Sequence, residues 1–286
     1  MSKIAIVTDS SAHIPGNLSQ DLPIFVIPLL LLWDNQSLKD LEEITTDAFY
    51  ERLKNSPTSP STSQPSPIVF KEKYQSLLSK GYEILSIHLS SKLSGTLDSA
   101  IKAKDMLPGE KIRIVDSEST SMAMGFQILL AARLAVQGAS LVECEQIALQ
   151  AKTKSGVYFV VKTLEYLKRG GRIGGAAAFL GTIMDLKPIL ELRDGKIEAV
   201  EKVRTMSKAV DRMLDLVEQK LGKTEGKIHL ASLYTDSSEP AQILMDRAIQ
   251  RLGKENIVES TLSPVSSAIG AHAGPGTMGL CYLGGM

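Results

Sequence analysis

Aromatic side chains are scarce in this 286-residue chain: one Trp, seven Tyr and six Phe make up 5% of it. An interior with so few rings must be packed by aliphatic side chains, and at 43% hydrophobic residues there are enough for a large core. Cysteine is scarcer still. Cys144 and Cys281 lie far apart and form no CxxC pair, which argues against a disulfide framework and for a reducing cytosol. Neither sign of charge is in excess, since 32 Lys and Arg balance 32 Asp and Glu. Without surplus cations to neutralise phosphates, no nucleic acid partner is expected. Long hydrophobic runs are also missing. The longest, Ile24 to Trp33, is about half the ~20 residues of a membrane-spanning helix and contains Pro28. The opening MSKIAIVTDSS reads as a strand and lacks the parts of a secretory signal, so the expectation is a cytoplasmic protein without stable membrane insertion. No HxxxH or Cys/His spacing suggests a metal.

What is present is an alternation of strand and helix signals. Ile4 to Thr8, Ile84 to Leu89 and Ile112 to Val115 are short β-branched runs ending in Asp or Ser. Ser66-Pro67 supplies a cap and a first-turn proline for a helix to about Leu78, and Ser140 to Glu143 is a capping box for a helix burying Ile147 and Ala148. Met122 to Gln137 reads as a strongly apolar helix stopped by Gly138. This order predicts an α/β protein whose first part, residues 1–156, is a mainly parallel sheet with flanking helices. From 157 to 286 the pattern changes. A strand at Val157 to Val161 and a helix broken at Gly170-Gly171 come first. Ile189 to Leu192 and Lys196 to Val203 then flank Asp194-Gly195, a hairpin signal that predicts a mixed sheet. A helix at Lys208 to Leu221, a strand at Ile228 to Tyr234, a helix at Pro240 to Leu252 and a last strand near Met278 to Leu283 complete a second α/β domain. Residues 55–67, NSPTSPSTSQPSP, read by composition as a flexible, solvated loop.

Three stretches are candidates for chemistry. In Ile84 to Met106 a buried strand ends in a Ser/Gly-rich turn, and a helix begins near Gly95 or Thr96 with Leu97, Ala100, Ile101 and Leu107 on one face. Backbone N–H groups at that turn, with the hydroxyls of Ser94 and Thr96, suit an anion, while the plain alternative is that Ser94 only caps the helix. The turn is neither a P-loop nor a GxSxG elbow. In Leu164 to Ile173 the two glycines permit a sharp turn after a helix, and Arg172 beyond them can reach a carboxylate or phosphate; a helix C-cap with a solvated basic end is the alternative. In Ser266 to Gly279 the residues are too small to fill a core, so the backbone either approaches a ligand, with His272 as its titratable group, or forms a surface loop. His88 and His229 fall inside strand patterns as packed core residues, and His13 falls in a loop. Ser94 with His272 also defines an alternative function, a serine-dependent acyl hydrolase or transferase, but no motif supplies the third group that would orient the imidazole.

Together these stretches resemble the DegV family over essentially the whole chain. The matching residues are VTDSS at 7–11, TSQPS at 62–66, SSKLSGT at 90–96, VDS at 115–117, LEYLKRGGRI at 164–173, VRTMSKA at 203–209 and IGAHAGPGTMG at 269–279. The resemblance implies a non-catalytic lipid carrier that encloses one long-chain fatty acid, with no other cofactor, and presents its carboxylate to a partner fatty acid kinase. That partner would make an acyl phosphate, an entry to phospholipid metabolism. The resemblance places the acyl tail mostly within the second domain and the carboxylate at Thr62, Ser63, Ser94, Gly95 and Thr96, with Arg172 and His272 close by and Arg204 at the kinase contact. It also implies that 55–67 is an ordered pocket loop.

Overall fold

The computed structural model describes residues 3–181, 186–222 and 227–286. Strand β1 (Lys3–Asp9) is apolar on both sides, so it can only be stable covered on both. Ile4 and Ile6 face one core and Ala5 and Val7 another. It lies inside a four-stranded parallel sheet of order β2-β1-β6-β7, with β2 at Ile24–Ile27, β6 at Tyr82–His88 and β7 at Ile112–Asp116. Helices α3 (Pro67–Leu78) and α4 (Thr96–Asp105) cover the Ala5 and Val7 face, and α5 (Ser121–Val136) and α6 (Leu141–Lys154) cover the other. The capping box forms as expected: the Ser140 hydroxyl accepts from Glu143 N–H, and the Glu143 carboxylate accepts from Ser140 N–H. In α4 one expectation fails. Ile101 is 42% exposed, because a helix resting on a single sheet face buries only the stripe holding Leu97, Ala100 and Ala103.

The run Ile24 to Trp33 is not one element. Pro28 has no N–H to offer a sheet ladder, and the chain leaves the parallel sheet there. It forms a separate antiparallel sheet, β4-β3-β5, from β3 (Leu30–Trp33), β4 (Gln36–Lys39) and β5 (Ser61–Ser63). The short α1 (Gly16–Ser19) follows β1, and α2 (Thr46–Asn55) packs Phe49, Tyr50 and Leu53 against Leu31 and Trp33. Within 55–67, read from composition as a flexible loop and from the family resemblance as an ordered pocket loop, Ser61–Ser63 form β5. Arg52 stacks 4.4 Å from the Trp33 ring centre and binds Asp34 at 2.9 Å. Thr58 donates to Asp34 at 2.6 Å and accepts from the Trp33 indole at 3.0 Å. Thr58 is thereby tied to specific partners outside the loop, a feature composition cannot register.

The second sheet is mixed, of order β10-β9-β8-β13-β11-β12, and only its β11–β12 pair is parallel. Its strands are β8 (Ser155–Val160), β9 (Lys187–Arg193), β10 (Lys196–Val203), β11 (Ile228–Tyr234), β12 (Ile257–Pro264) and β13 (Met278–Gly284). The Asp194-Gly195 hairpin forms with both φ angles positive, at 49° and 76°, as a tight two-residue turn demands. Helices α8 (Met206–Leu221) and α9 (Ser238–Leu252) cover one face, and α7 (Glu165–Arg169) and α10 (Ser267–Ala273) lie at the junction with the three-stranded sheet. The opposite face receives α5. That helix buries Met124 and Ile128 against the parallel sheet and Met122, Phe126 and Leu129 against the mixed one, which explains why its sequence is apolar all round. None of the helices among the described residues is long and apolar enough to cross a membrane.

Both strand histidines are buried as expected, and both are hydrogen bonded. His88 Nδ1 lies 3.0 Å from Asp9, and its Nε2 continues through Ser86 to Tyr74 at 2.7 Å per step. His229 Nδ1 is 3.3 Å from Glu259.

A cavity between the sheets as candidate functional site

Where α5 ends, nothing of equal bulk fills the gap between the two sheets. A cavity opens there, with about 910 Å³ of space between atoms, solvent at its mouth included. Its floor is the mixed sheet, represented by Val157 and Phe159 on β8, Leu192 on β9 and Leu233 on β11. Leu29 and Leu89 come from the parallel side, and Val265, Ala268 and Ile269 close one wall. Thus the apolar lining comes mostly from residues beyond 156. The cavity lies at the carboxyl ends of the parallel strands, where the chain turns at Ser10 and Ser90.

Four of the expected residues meet at its polar end. Thr62 is on β5, in register with Leu31, and its hydroxyl lies 2.7 Å from His272 Nε2 across 210 residues of sequence. Ser94 follows β6, and Arg172 follows α7. Arg172 Nε donates to the Leu93 carbonyl at 3.0 Å and Nη1 to the Gly170 carbonyl at 2.5 Å. It forms no ion pair among the described residues and is the one full charge among the described lining residues. Ser63 also lines the cavity.

Two expectations need correction. Ser94 does not cap α4 through its side chain, because Gly95 occupies the N-cap position. The Ser94 hydroxyl instead accepts from Thr96 N–H at 3.3 Å and pairs with the Thr96 hydroxyl at 2.9 Å. Thr96 is fully buried, and neither it nor Gly95 lines the cavity. Gly95 serves close packing: a Cβ there would sit 2.8 Å from Gln64 Nε2. Arg204 stands outside the cavity, exposed in the two-residue link from β10 to α8.

The stretch at 266–279 was expected to bring backbone to a ligand or to loop over the surface. Its first half is α10, with the Ser266 hydroxyl accepting from Ile269 N–H at 3.4 Å. The small residues have a packing cause: a Cβ on Gly270 would meet the Tyr50 hydroxyl at 2.2 Å, and one on Gly274 the Tyr166 ring at 2.4 Å. Close packing of α10 carries His272 to the cavity. Its imidazole rests on Gly170, where a Cβ would lie 2.0 Å from Nδ1, and that nitrogen has no hydrogen-bond partner among the described residues. Burial, with the Arg172 charge beside it, lowers the His272 pKa from its ordinary 6.5 to about 4, so the ring is neutral at pH 7.

Other contributors carried no local signal. Gln64 comes from the pocket loop, while Thr120 and Ser121 come from the start of α5. For Thr120 and Ser121 the Ser/Thr cluster after β7 was the only sequence mark.

Across residues 3–284 the sequence matches the family profile described as "Uncharacterised protein, DegV family". The chain belongs to the DegV family. A DegV domain-containing protein of Streptomyces coelicolor is 37% identical over 279 residues, covering 97% of each chain. Among solved structures, a DegV family protein from Thermus thermophilus described by its fatty acid binding is 34% identical, with a TM-score of 0.90 and 99% of both chains covered. DegV of Bacillus subtilis, described as a fatty acid binding protein, is 32% identical with a TM-score of 0.87, over 99% of this chain and all of that one.

Proposed function

We propose that this DegV family chain binds one long-chain fatty acid, its tail between the sheets and its carboxyl group at Thr62, Ser94, Arg172 and His272. The observation that carries this reading is a cavity lined mainly by apolar side chains, with Thr62, His272 and the Arg172 cation close together on its wall. An acyl chain of roughly fifteen methylenes gains on the order of 12 kcal/mol gross on leaving water. Ordering the chain and immobilising the ligand remove part of that. A buried carboxylate is tolerable only with partners, and hydroxyls beside a guanidinium provide them. Denaturing mass spectrometry of the purified protein should find fatty acid near one equivalent, and a Thr62→Ala/Ser94→Ala variant should retain much less. Wild-type protein with no lipid, and no affinity for added fatty acid, would defeat the reading.

The finer reading is that of a cytoplasmic carrier that performs no catalysis and presents its acid to a partner fatty acid kinase for acyl-phosphate formation. It rests on the DegV resemblance and on the exposure of Arg204 away from the cavity. Its test is acyl-phosphate formation from loaded protein, ATP and a candidate kinase. Arg204→Ala should slow transfer without changing the bound lipid. The serine hydrolase alternative finds no support in the geometry. Ser94 pairs with Thr96 and His272 with Thr62, and no acid among the described residues meets His272 Nδ1.

A further inference from the structure

Asp40 is a buried carboxylate that the cavity does not use. It follows β4 at 0% exposure, is not one of the lining residues, and has no cation beside it among the described residues. Burying a charge without a cation is costly, and burial raises its carboxyl pKa to about 6. Perturbed groups of this kind cluster at functional sites.

Its carboxylate joins the two elements that also meet inside the cavity. Oδ2 accepts from the Ser10 hydroxyl at 2.7 Å, and that hydroxyl accepts from Leu29 N–H at 3.0 Å. Asp40 N–H donates to the Leu29 carbonyl at 2.9 Å, so this cavity residue is held through both its backbone groups. The start of α10 stands on the other side. There the Ser266 hydroxyl takes Ile269 N–H and the Ser266 carbonyl takes Gly270 N–H, which leaves the N–H groups of Ser267 and Ala268. Those two and the Ser267 hydroxyl are turned toward the Asp40 carboxylate, although Oδ1 and Ser267 Oγ complete no hydrogen bond among the described residues. Asp40 therefore spans from the three-stranded sheet to α10. The contact between Thr62 on β5 and His272 on α10 spans the same pair.

The ionisable groups around Asp40 are otherwise engaged. Tyr50 of α2 donates to the Val265 carbonyl, and burial, with Asp236 and Asp40 near it, keeps its hydroxyl neutral. On the β1 side Asp9 is turned to Ser11, His88 and Leu89, and His13 to the Pro264 carbonyl. On its own turn Lys39 pairs with Glu42, and Glu43 is exposed. On α10 the charge felt by His272 is that of Arg172.

We propose that Asp40 is a positioning residue for the lipid site: its ionised carboxylate seats α10 against the three-stranded sheet and so sets Ala268, Ile269 and His272 for the ligand. The proposal rests on the fatty acid reading above and adds a control to that site.

The test is the affinity for decanoate, a short and soluble fatty acid, at pH 7.5 and pH 5.5 in the wild type and in Asp40→Asn. The ratio of the two proteins' affinities cancels the titration of His272 and of the ligand. At pH 7.5 the wild type should bind about 3- to 10-fold more tightly, the worth of an anion at a helix start, and at pH 5.5 the ratio should fall toward one as Asp40 takes up its proton. A ratio of one throughout overturns the proposal. A ratio that stays constant or grows on acidification also overturns it, since a merely structural asparagine defect would not change with pH. Should Asp40→Asn not fold, His272→Gln decides: its weaker affinity should still drop about 3- to 10-fold on acidification, and a flat profile there overturns the proposal. Binding of neither decanoate nor stearate at any pH overturns the fatty acid reading as well.

Discussion

Acidification should cost this protein stability through His272, and the amount follows from its surroundings. The ring is neutral in the folded state because burial and Arg172 oppose its protonation, lowering its pKa from 6.5 to about 4. Between those values the unfolded chain binds a proton that the folded chain refuses, so stability falls as pH falls. At about 1.4 kcal/mol per pH unit the full loss is about 3 kcal/mol, complete near pH 4. Asp40 acts in the opposite sense. Burial raises its carboxyl pKa from 3.8 to about 6, so the folded state takes up a proton first and gains stability over much of the same window. The wild-type profile therefore hides both effects, and the comparison with His272→Gln separates them. Denaturant unfolding from pH 7 to pH 4 should show the variant gaining about 3 kcal/mol on the wild type. With four histidines in the chain, imidazole resonances give a direct check: His272 should remain unprotonated at pH 5. A bound carboxylate would raise its pKa. Titration of His272 near 6.5 in the lipid-free protein, or an unchanged stability difference, refutes the argument.

Other perturbations test the site and its frame. Gly170→Ala places a methyl 2.0 Å from His272 Nδ1 and should push the imidazole off Thr62; calorimetry should show weaker fatty acid binding by about tenfold with the fold retained. Val157→Trp should fill the tail region and reduce lipid recovered by mass spectrometry to near zero while far-ultraviolet circular dichroism is unchanged. Asp9→Asn sets an amide against donors from Ser11, His88 and Leu89 in a fully buried place and should cost about 2–4 kcal/mol in denaturant unfolding.

Which parts of this molecule were legible in its sequence follows from the range of the forces involved. The capping box at Ser140 and the hairpin at Asp194-Gly195 are written within a few residues, and both formed. The unbroken apolar runs of β1 and β6 likewise record two covered faces. The three-stranded sheet was not legible, because Ile24 to Trp33 reads as one run and only the partner of each half tells them apart: β1 for Ile24–Ile27 and β5 for Leu30–Leu32. Helix α10 was missed for a related reason. Gly270 and Ala271 look unable to form a core until Tyr50 and Phe49 are placed against them. At the site, Ser94, Arg172 and His272 stood out in local patterns, each with a plainer alternative, whereas Thr62 came only from the family motifs, since the Thr62–His272 contact spans 210 residues and no local pattern can encode it. Gln64, Thr120 and Ser121 face the cavity only because of where two separate turns end.

The cavity itself follows from the placement of α5. One helix serves as the inner layer for both sheets, and its apolar side chains, Met122, Phe126 and Leu129 among them, fill the space along its 16 residues. N-terminal to Ser121 the chain turns back through Ser117 and Ser119 to the edge of the parallel sheet, and these small side chains leave the sheets apart. Closing that gap with protein would need large side chains on Val157, Leu233 or Ala268, which are modest in size. The carboxylate end completes the logic. Arg172 is held by two backbone carbonyls and by no acid among the described residues, so its charge stays fixed at the cavity while its geometry is already committed. It can lend positive potential to a fatty acid without gripping it in a bidentate pair, and the neutral hydroxyls then set the direction of the acid. On the proposed fatty acid reading, a site arranged this way would retain the tail through apolar area and leave the carboxyl oxygens comparatively free, a division of labour suited to a carrier.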